Sequence, residues 1–260
     1  MAFMRSRFFI LIAAFFASLV ALADSPLKVS SDSVYYRYIR HDIEAWRPVI
    51  DSLHDAKPKK SVETLDFLLS LEYGYVAWCV SDTACAQPEK ALDDAITDLE
   101  SFQEAIKSVP DKTLTRRMLE SKARSYYSAF LAYQMKLNTV RAIINGWRCV
   151  NNAKNAVTMS PDCWFSQLEY GNVMHYMPMF LGGSKINARK AYISAIKIMD
   201  DSGENDKNWL YLHALLCLAD CYKQEKDFSN VQSCYDRILA VEPDFALVRD
   251  SLAPSLARQK

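Results

Sequence analysis

Gly182-Gly183-Ser184-Lys185 places two glycines, a hydroxyl and an ammonium in four consecutive positions. Residues of these types can wrap a phosphate, with glycine amides pointing inward and lysine supplying charge. The order is wrong for that chemistry. A P-loop needs a further upstream glycine, a Gly-Lys-Ser/Thr step and a preceding strand, whereas Met177 and Pro178 stand where the upstream glycine belongs. A helix does begin after Ser184, and any helix start presents amides to an anion. The simpler expectation is that Ser184 or a glycine caps that helix.

Directly before this run, Met174, His175, Met177 and Met179 offer thioether and imidazole groups, the ligand types that suit Cu(I). Successive positions at a helix end point in different directions, so core methionines and a groove-facing histidine are expected, with no metal. The remaining histidines are His41, His54 and His213. No nucleophile-elbow or metalloprotease spacing surrounds any of the four. Asp93-Asp94 and Asp200-Asp201 are adjacent pairs, which diverge on a helix and form no carboxylate dyad. No catalytic residue, cofactor or metal is assigned.

Seven cysteines remain: Cys79, Cys85, Cys149, Cys163, Cys217, Cys221 and Cys234. An odd number leaves at least one thiol unpaired within the chain. A short Cys79–Cys85 bridge at a helix end is expected, with Cys221–Cys234 as a second candidate pair. Cys217-x3-Cys221 lacks structural-zinc spacing.

The elements that must position these groups read as helices. Six glycines in 260 residues are few for a fold built on tight turns, and 50% hydrophobic residues suffice for a core. Formal net charge is zero, so no nucleic-acid-binding field is implied. The one dense basic run, Lys57 to Lys60, reads as a solvated loop. Arg5, Arg7, the apolar run Phe8–Ala21 and Ala21-Leu22-Ala23 form a signal-peptide pattern, with cleavage expected after Ala23. The apolar run is short for a membrane span. Losing Arg5 and Arg7 takes two of the 31 basic residues and leaves 29 against 31 acidic.

A polar leader is expected over Asp24–Asp32. Ile39, Ile43, Trp46, Ile50 and Leu53 then share one helical face, interrupted by Pro48, so the helix is expected to restart near Arg47. Ser61 is expected to cap a helix reaching about Cys79. Pro88 opens a third, with the stripe Leu92, Ile96, Leu99, Phe102 and Ile106. Pro110-Asp111 is expected to cap a fourth to about Leu137. A fifth occupies about Thr139–Thr158.

Beyond Pro161 the chain repeats. Leu215-x2-Leu218-Ala219-x2-Tyr222, Val231-x3-Tyr235 and Pro243 carry the spacing of a tetratricopeptide repeat (TPR). Tyr170-Gly171, Met174, Ala188-x3-Tyr192 and Ala195 form an earlier copy with five extra residues in its turn. Cys149, Ala153, Ala156 and Pro161 mark a fainter one. The clearest repeats span about 164–200 and 208–243, and 244–257 is expected to be a capping helix. The segments "EYGNVMHYMPMFLGGSKINARKAYISAIKIMD", "KNWLYLHALLCLADCY" and "VEPDFALVRDSLAP" together resemble a family of exported TPR proteins of unassigned function, mostly from Bacteroidetes. The Gly-Gly element also resembles the periplasmic TPR component of TRAP-type transporters. The resemblance covers roughly Glu63 to Pro254 and implies no catalytic residues.

The expected fold is thus all-α: one domain over 24–260, a right-handed superhelix of about nine or ten helices in hairpins. In such a stack the first helix of each pair lines a concave groove. Phe165, Asn172, His175 and Tyr176, then His213, Asp220, Lys223 and Gln224, are the expected groove residues, with Leu168 and Leu216 between them. The expected role is a non-catalytic, periplasmic protein–protein scaffold, monomeric or weakly oligomeric, holding a partner segment. The alternative is a transporter-associated accessory protein that binds a small ligand in an aromatic groove.

Overall fold

Five helices begin on a side chain that accepts a hydrogen bond from a backbone amide that the helix itself leaves without a partner. Ser61 accepts from the Thr64 amide at 3.2 Å, Thr113 from Arg116 at 3.1 Å and Ser184 from Asn187 at 3.3 Å. Asn208 accepts from Leu210 at 3.0 Å and Asp227 from Asn230 at 3.2 Å. Pro88 opens another helix at a position where a missing amide costs nothing.

The computed structural model describes residues 26–55, 61–81 and 84–258, the side chains of 26–29 and 141–143 excepted. The expected leader at 1–23 and the basic run Lys57–Lys60 lie outside the described residues. Among those residues the chain is helical, with no strand. The α-helices are α1 (Pro26–Ile39), α2 (Arg47–Asp55), α3 (Val62–Cys79), α4 (Pro88–Ile106) and α5 (Leu114–Leu137). There follow α6 (Ala142–Met159), α7 (Trp164–Tyr176), α8 (Lys185–Ser202), α9 (Trp209–Gln224), α10 (Phe228–Val241) and the short α11 (Ala253–Ala257).

Four helix pairs make up most of the molecule: α3 with α4, α5 with α6, α7 with α8, and α9 with α10. The second helix of each pair also touches the first helix of the next, and the first helices touch one another in order. Small side chains allow the close approach. Ala153, Ala156, Ala188, Ala195 and Ala214 are completely buried. Ser121, Ser125 and Ser166 meet between α5 and α7 through hydroxyl contacts of 2.6 and 3.0 Å, and Ser121 donates to the Ala156 carbonyl at 2.8 Å. These buried hydroxyls are therefore satisfied rather than desolvated at a loss.

Several expectations change. The polar leader is helical from Pro26, so α1 exists where a loop was expected. The helix after it does restart at Arg47, following a 3₁₀ turn at Glu44–Trp46. The cap of α5 is Thr113, not Asp111. The end of the chain carries a π-helical stretch, Leu247–Leu252, before α11, rather than one uniform helix. Eleven α-helices are described where nine or ten were expected.

The N-terminal segment packs onto the far end of the chain. Trp46, fully buried, meets Trp209 at 5.1 Å between ring centroids. Both indoles lie against Gly74 of α3, where a Cβ would come within 2.6 Å of Trp46 and 2.8 Å of Trp209. The Tyr38 ring of α1 lies tilted 5.3 Å from Trp209 and 5.6 Å from Phe245. Lys207 pairs with Asp32 at 3.7 Å. The Cys79–Cys85 disulfide ties the end of α3 to the approach of α4, with Cα atoms 4.9 Å apart. Cys221 and Cys234, the other candidate pair, are both free thiols and buried.

Candidate functional site

The eight expected groove residues lie on α7 and α9, and the structure divides them into three kinds.

Phe165 is buried, with its ring 4.4 Å from Tyr126 and 5.4 Å from Tyr73. It packs core against core and offers no face to a partner. Asn172 is half-buried and holds three helices together. Its amide nitrogen donates to the Tyr73 hydroxyl at 2.6 Å, and its carbonyl oxygen accepts from Tyr192 at 2.9 Å. The Tyr73 hydroxyl in turn donates to Glu169 at 3.0 Å. Glu169 is buried on α7, and burial pushes its carboxyl up to about 8. At neutral pH it therefore keeps its proton, and no unpaired charge is buried. Glu169 was not foreseen from sequence. Its signal was available: it sits 48 residues before Cys217, in the inner-packing register of the aligned helices.

The two histidines are enclosed. His175 is buried, with Nε2 3.0 Å from Asp220 and Nδ1 3.3 Å from the Cys221 sulfur. Burial and the nearby Lys185 ammonium lower its pKa, while burial raises the Cys221 thiol to about 11. The neutral tautomer with hydrogen on Nε2 satisfies both contacts, donating to Asp220 and accepting the thiol proton. His213 lies 3.4 Å from Cys217. Burial lowers His213 to about 4 and raises Cys217 to about 12. Both shifts keep the proton on sulfur, so this His–Cys pair is not an activated thiolate.

Tyr176, Asp220, Lys223 and Gln224 remain accessible at the C-terminal ends of α7 and α9. The Tyr176 ring lies 4.6 Å from His175, which binds Asp220, and Gln224 donates to Asp220 at 2.8 Å. These contacts gather the ends of the two helices into one small polar corner.

The turn after α7 borders this corner. Four of its amides are spent on backbone carbonyls: Leu181 and Gly183 on Pro178 at 3.0 and 3.1 Å, Gly182 on Met179 at 2.9 Å, and Ser184 on Met174 at 2.8 Å. The Gly182, Gly183 and Ser184 amides are therefore not left to cradle a phosphate. Gly182 has φ +101°, and a Cβ on Gly183 would collide with the Met177 carbonyl. Lys185 donates to the His175 carbonyl, neutralising the C-terminal end of α7. Met174 is buried and Met179 is 86% exposed, so these sulfurs do not converge on a metal.

Within the turn, Leu181 is buried against Gly146 of α6, whereas Met179 and Phe180 stand in solvent. Ile144 and Trp147, on either side of Gly146, are exposed too. Leu181 thereby joins the turn to the first turns of α6 in one neighbourhood rich in exposed apolar side chains. Comparison with protein-family models finds no match, and comparison with curated proteins finds none.

Proposed function

We propose that the chain is a TPR-like superhelical scaffold that binds a protein partner at the mouth formed by the ends of α7 and α9 and the turn between α7 and α8. The observation that carries this reading is the exposure of Met179 and Phe180, at 86% and 75%, on a turn pinned by the hydrogen bonds of Leu181 to Ser184 and by the burial of Leu181. Large apolar groups on a rigid support bind with little ordering cost, and contiguous exposed apolar surface marks interaction sites. Tyr176 adds an aromatic anchor, and Asp220, Lys223 and Gln224 supply a polar rim of both charges. The successive pairing of α3 to α10 supports the TPR likeness, as do the spacings Leu215–Pro243 and Tyr170–Ala195.

The compartment belongs to the same proposal: export to the periplasm or outside the cell. The Cys79–Cys85 disulfide supports it, because such bonds persist where thiols are not kept reduced. The pattern Arg5 to Ala23 supports it independently. Among the described residues no helix is long and apolar enough to cross a membrane.

The test is a photo-crosslinking experiment in the native envelope, with the photoreactive side chain placed at Phe180, at Lys223, and at Glu100 on the outer face of α4. A discrete adduct from Phe180 and Lys223 that is missing at Glu100, and lost in Met179→Ser/Tyr176→Ala, is expected. Adducts equally frequent at all three positions, or none at Phe180, would remove the mouth as the binding surface.

A further inference from the structure

His54 ends α2, Glu72 is in the middle of α3 and Asp98 is in the middle of α4. Their sequence separations show no common period, yet three potential donor atoms lie within 4.8 Å of one another. His54 Nε2 is 2.7 Å from Asp98 and 3.3 Å from Glu72. Glu72 and Asp98 are buried, while the His54 side chain retains 25% exposure. The second oxygen of Glu72 is sealed from solvent and has no hydrogen-bond partner.

We propose that His54, Glu72 and Asp98 bind one divalent transition-metal ion of the zinc class, which fastens α2 to the α3–α4 hairpin.

The donor set is one imidazole nitrogen and two carboxylate oxygens. It is too nitrogenous for calcium or magnesium and lacks the sulfur that Cu(I) prefers. Zinc accepts histidine and carboxylate ligands at about 2.0–2.1 Å, which at a tetrahedral angle sets donors roughly 3.3 Å apart. His54 and Glu72 already have that spacing. His54 and Asp98 need to part by about half an ångström, a side-chain adjustment, for the ion to replace their hydrogen bond. If Glu72 binds through both carboxylate oxygens, the ion would also give its stranded second oxygen a partner, which a buried acceptor otherwise lacks at a cost. The exposed edge of His54 provides the entry path and leaves a fourth position for water.

The experiment uses the full chain, without a polyhistidine tag, stripped with chelator and titrated with Zn²⁺ by calorimetry. Metal content after dialysis and the thermal midpoint are read in parallel. One ion per chain at micromolar affinity or tighter is expected, with a raised thermal midpoint. His54→Ala and Glu72→Gln should each weaken binding at least tenfold and abolish the thermal shift, and millimolar Mg²⁺ should not compete. Absence of stoichiometric binding to the wild-type chain overturns the proposal whatever the variants do. So does unchanged binding in either folded variant, which would place the ion on the free thiols or another histidine.

Discussion

The hairpins α7–α8 and α9–α10 match with an offset of 48 residues in their first helices, from Gly171 to Ala219, and of 43 in their second, from Tyr192 to Tyr235, the difference of five lying in their turns. The α9–α10 turn is three residues, Glu225 to Asp227, and exposes nothing apolar. The α7–α8 turn runs from Met177 to Ser184, buries Leu181 and exposes Met179 and Phe180. Two elements built to one packing plan thus differ where packing is not the constraint. An insertion in a helix would shift every later side chain around the axis. An insertion in a turn leaves both helix faces in place and is free to carry recognition.

The sharpest way to break this comparison is Gly183→Ala. The new methyl collides with the Met177 carbonyl, and Gly183 cannot swing away without giving up its own bond to the Pro178 carbonyl. We expect a loss of roughly 2–4 kcal/mol in denaturant unfolding. The short turn should respond oppositely: Lys226 holds φ +59°, and Lys226→Gly should gain up to about 1 kcal/mol. A loss at Lys226 and none at Gly183 would invert the account of the two turns.

Next in size is the helix crossing. Gly171 lies under the Tyr192 ring, where a Cβ would come within 2.7 Å of two ring atoms. Gly171→Ala should cost about 1–3 kcal/mol through overpacking. At the matching position Ala219 is already accommodated, so Ala219→Gly should cost only about 1 kcal/mol of helix propensity.

The two hairpins should also titrate in opposite senses. Glu169 is an acid raised from 4.5 to about 8 by burial. Its contribution is complete below pH 4.5 and is lost as pH rises through 8. His213 is a base lowered from 6.5 to about 4, so its contribution is present above pH 6.5 and is lost as pH falls through 4. Thermal midpoints across this range should flatten on the alkaline side in Glu169→Gln and on the acid side in His213→Gln. Identical pH profiles for wild type and both variants would show that neither group is enclosed as described.

The smallest stability effect is expected where the functional effect is largest. Met179→Ser/Phe180→Ser should stay within about 0.5 kcal/mol of wild type, because these side chains are already in water. A larger loss would mean that the turn is a packing element and not a contact surface.

Much of this is legible in the sequence. The helix starts at Ser61, Pro88 and Ser184 carry local chemistry that needs no tertiary partner. The burial of Met174 and Tyr192 follows from register. The exposure of groove residues was less accessible. A 3.6-residue period assigns Phe165 and His175 to a face of α7, but not the number of neighbours covering that face. Tyr73 and Tyr126 cover the first, and α9 covers the second through Asp220 and Cys221. The meeting of His54, Glu72 and Asp98 was invisible for a related reason: three helices must be docked before the three side chains are neighbours.

The Trp46–Trp209 contact across Gly74 has a consequence for how the chain is made and lost. An open stack, whose units touch only their sequence neighbours, can mature from one end during synthesis and fray from the other. Here a residue near the start is sealed only when one near the end arrives. The emerging chain must carry an uncovered indole until α9 leaves the ribosome, a demand that draws on chaperones before the fold can close. Once closed, the N-terminal segment and α9 seal each other, so fraying at α1 uncovers Trp209 as well as Trp46.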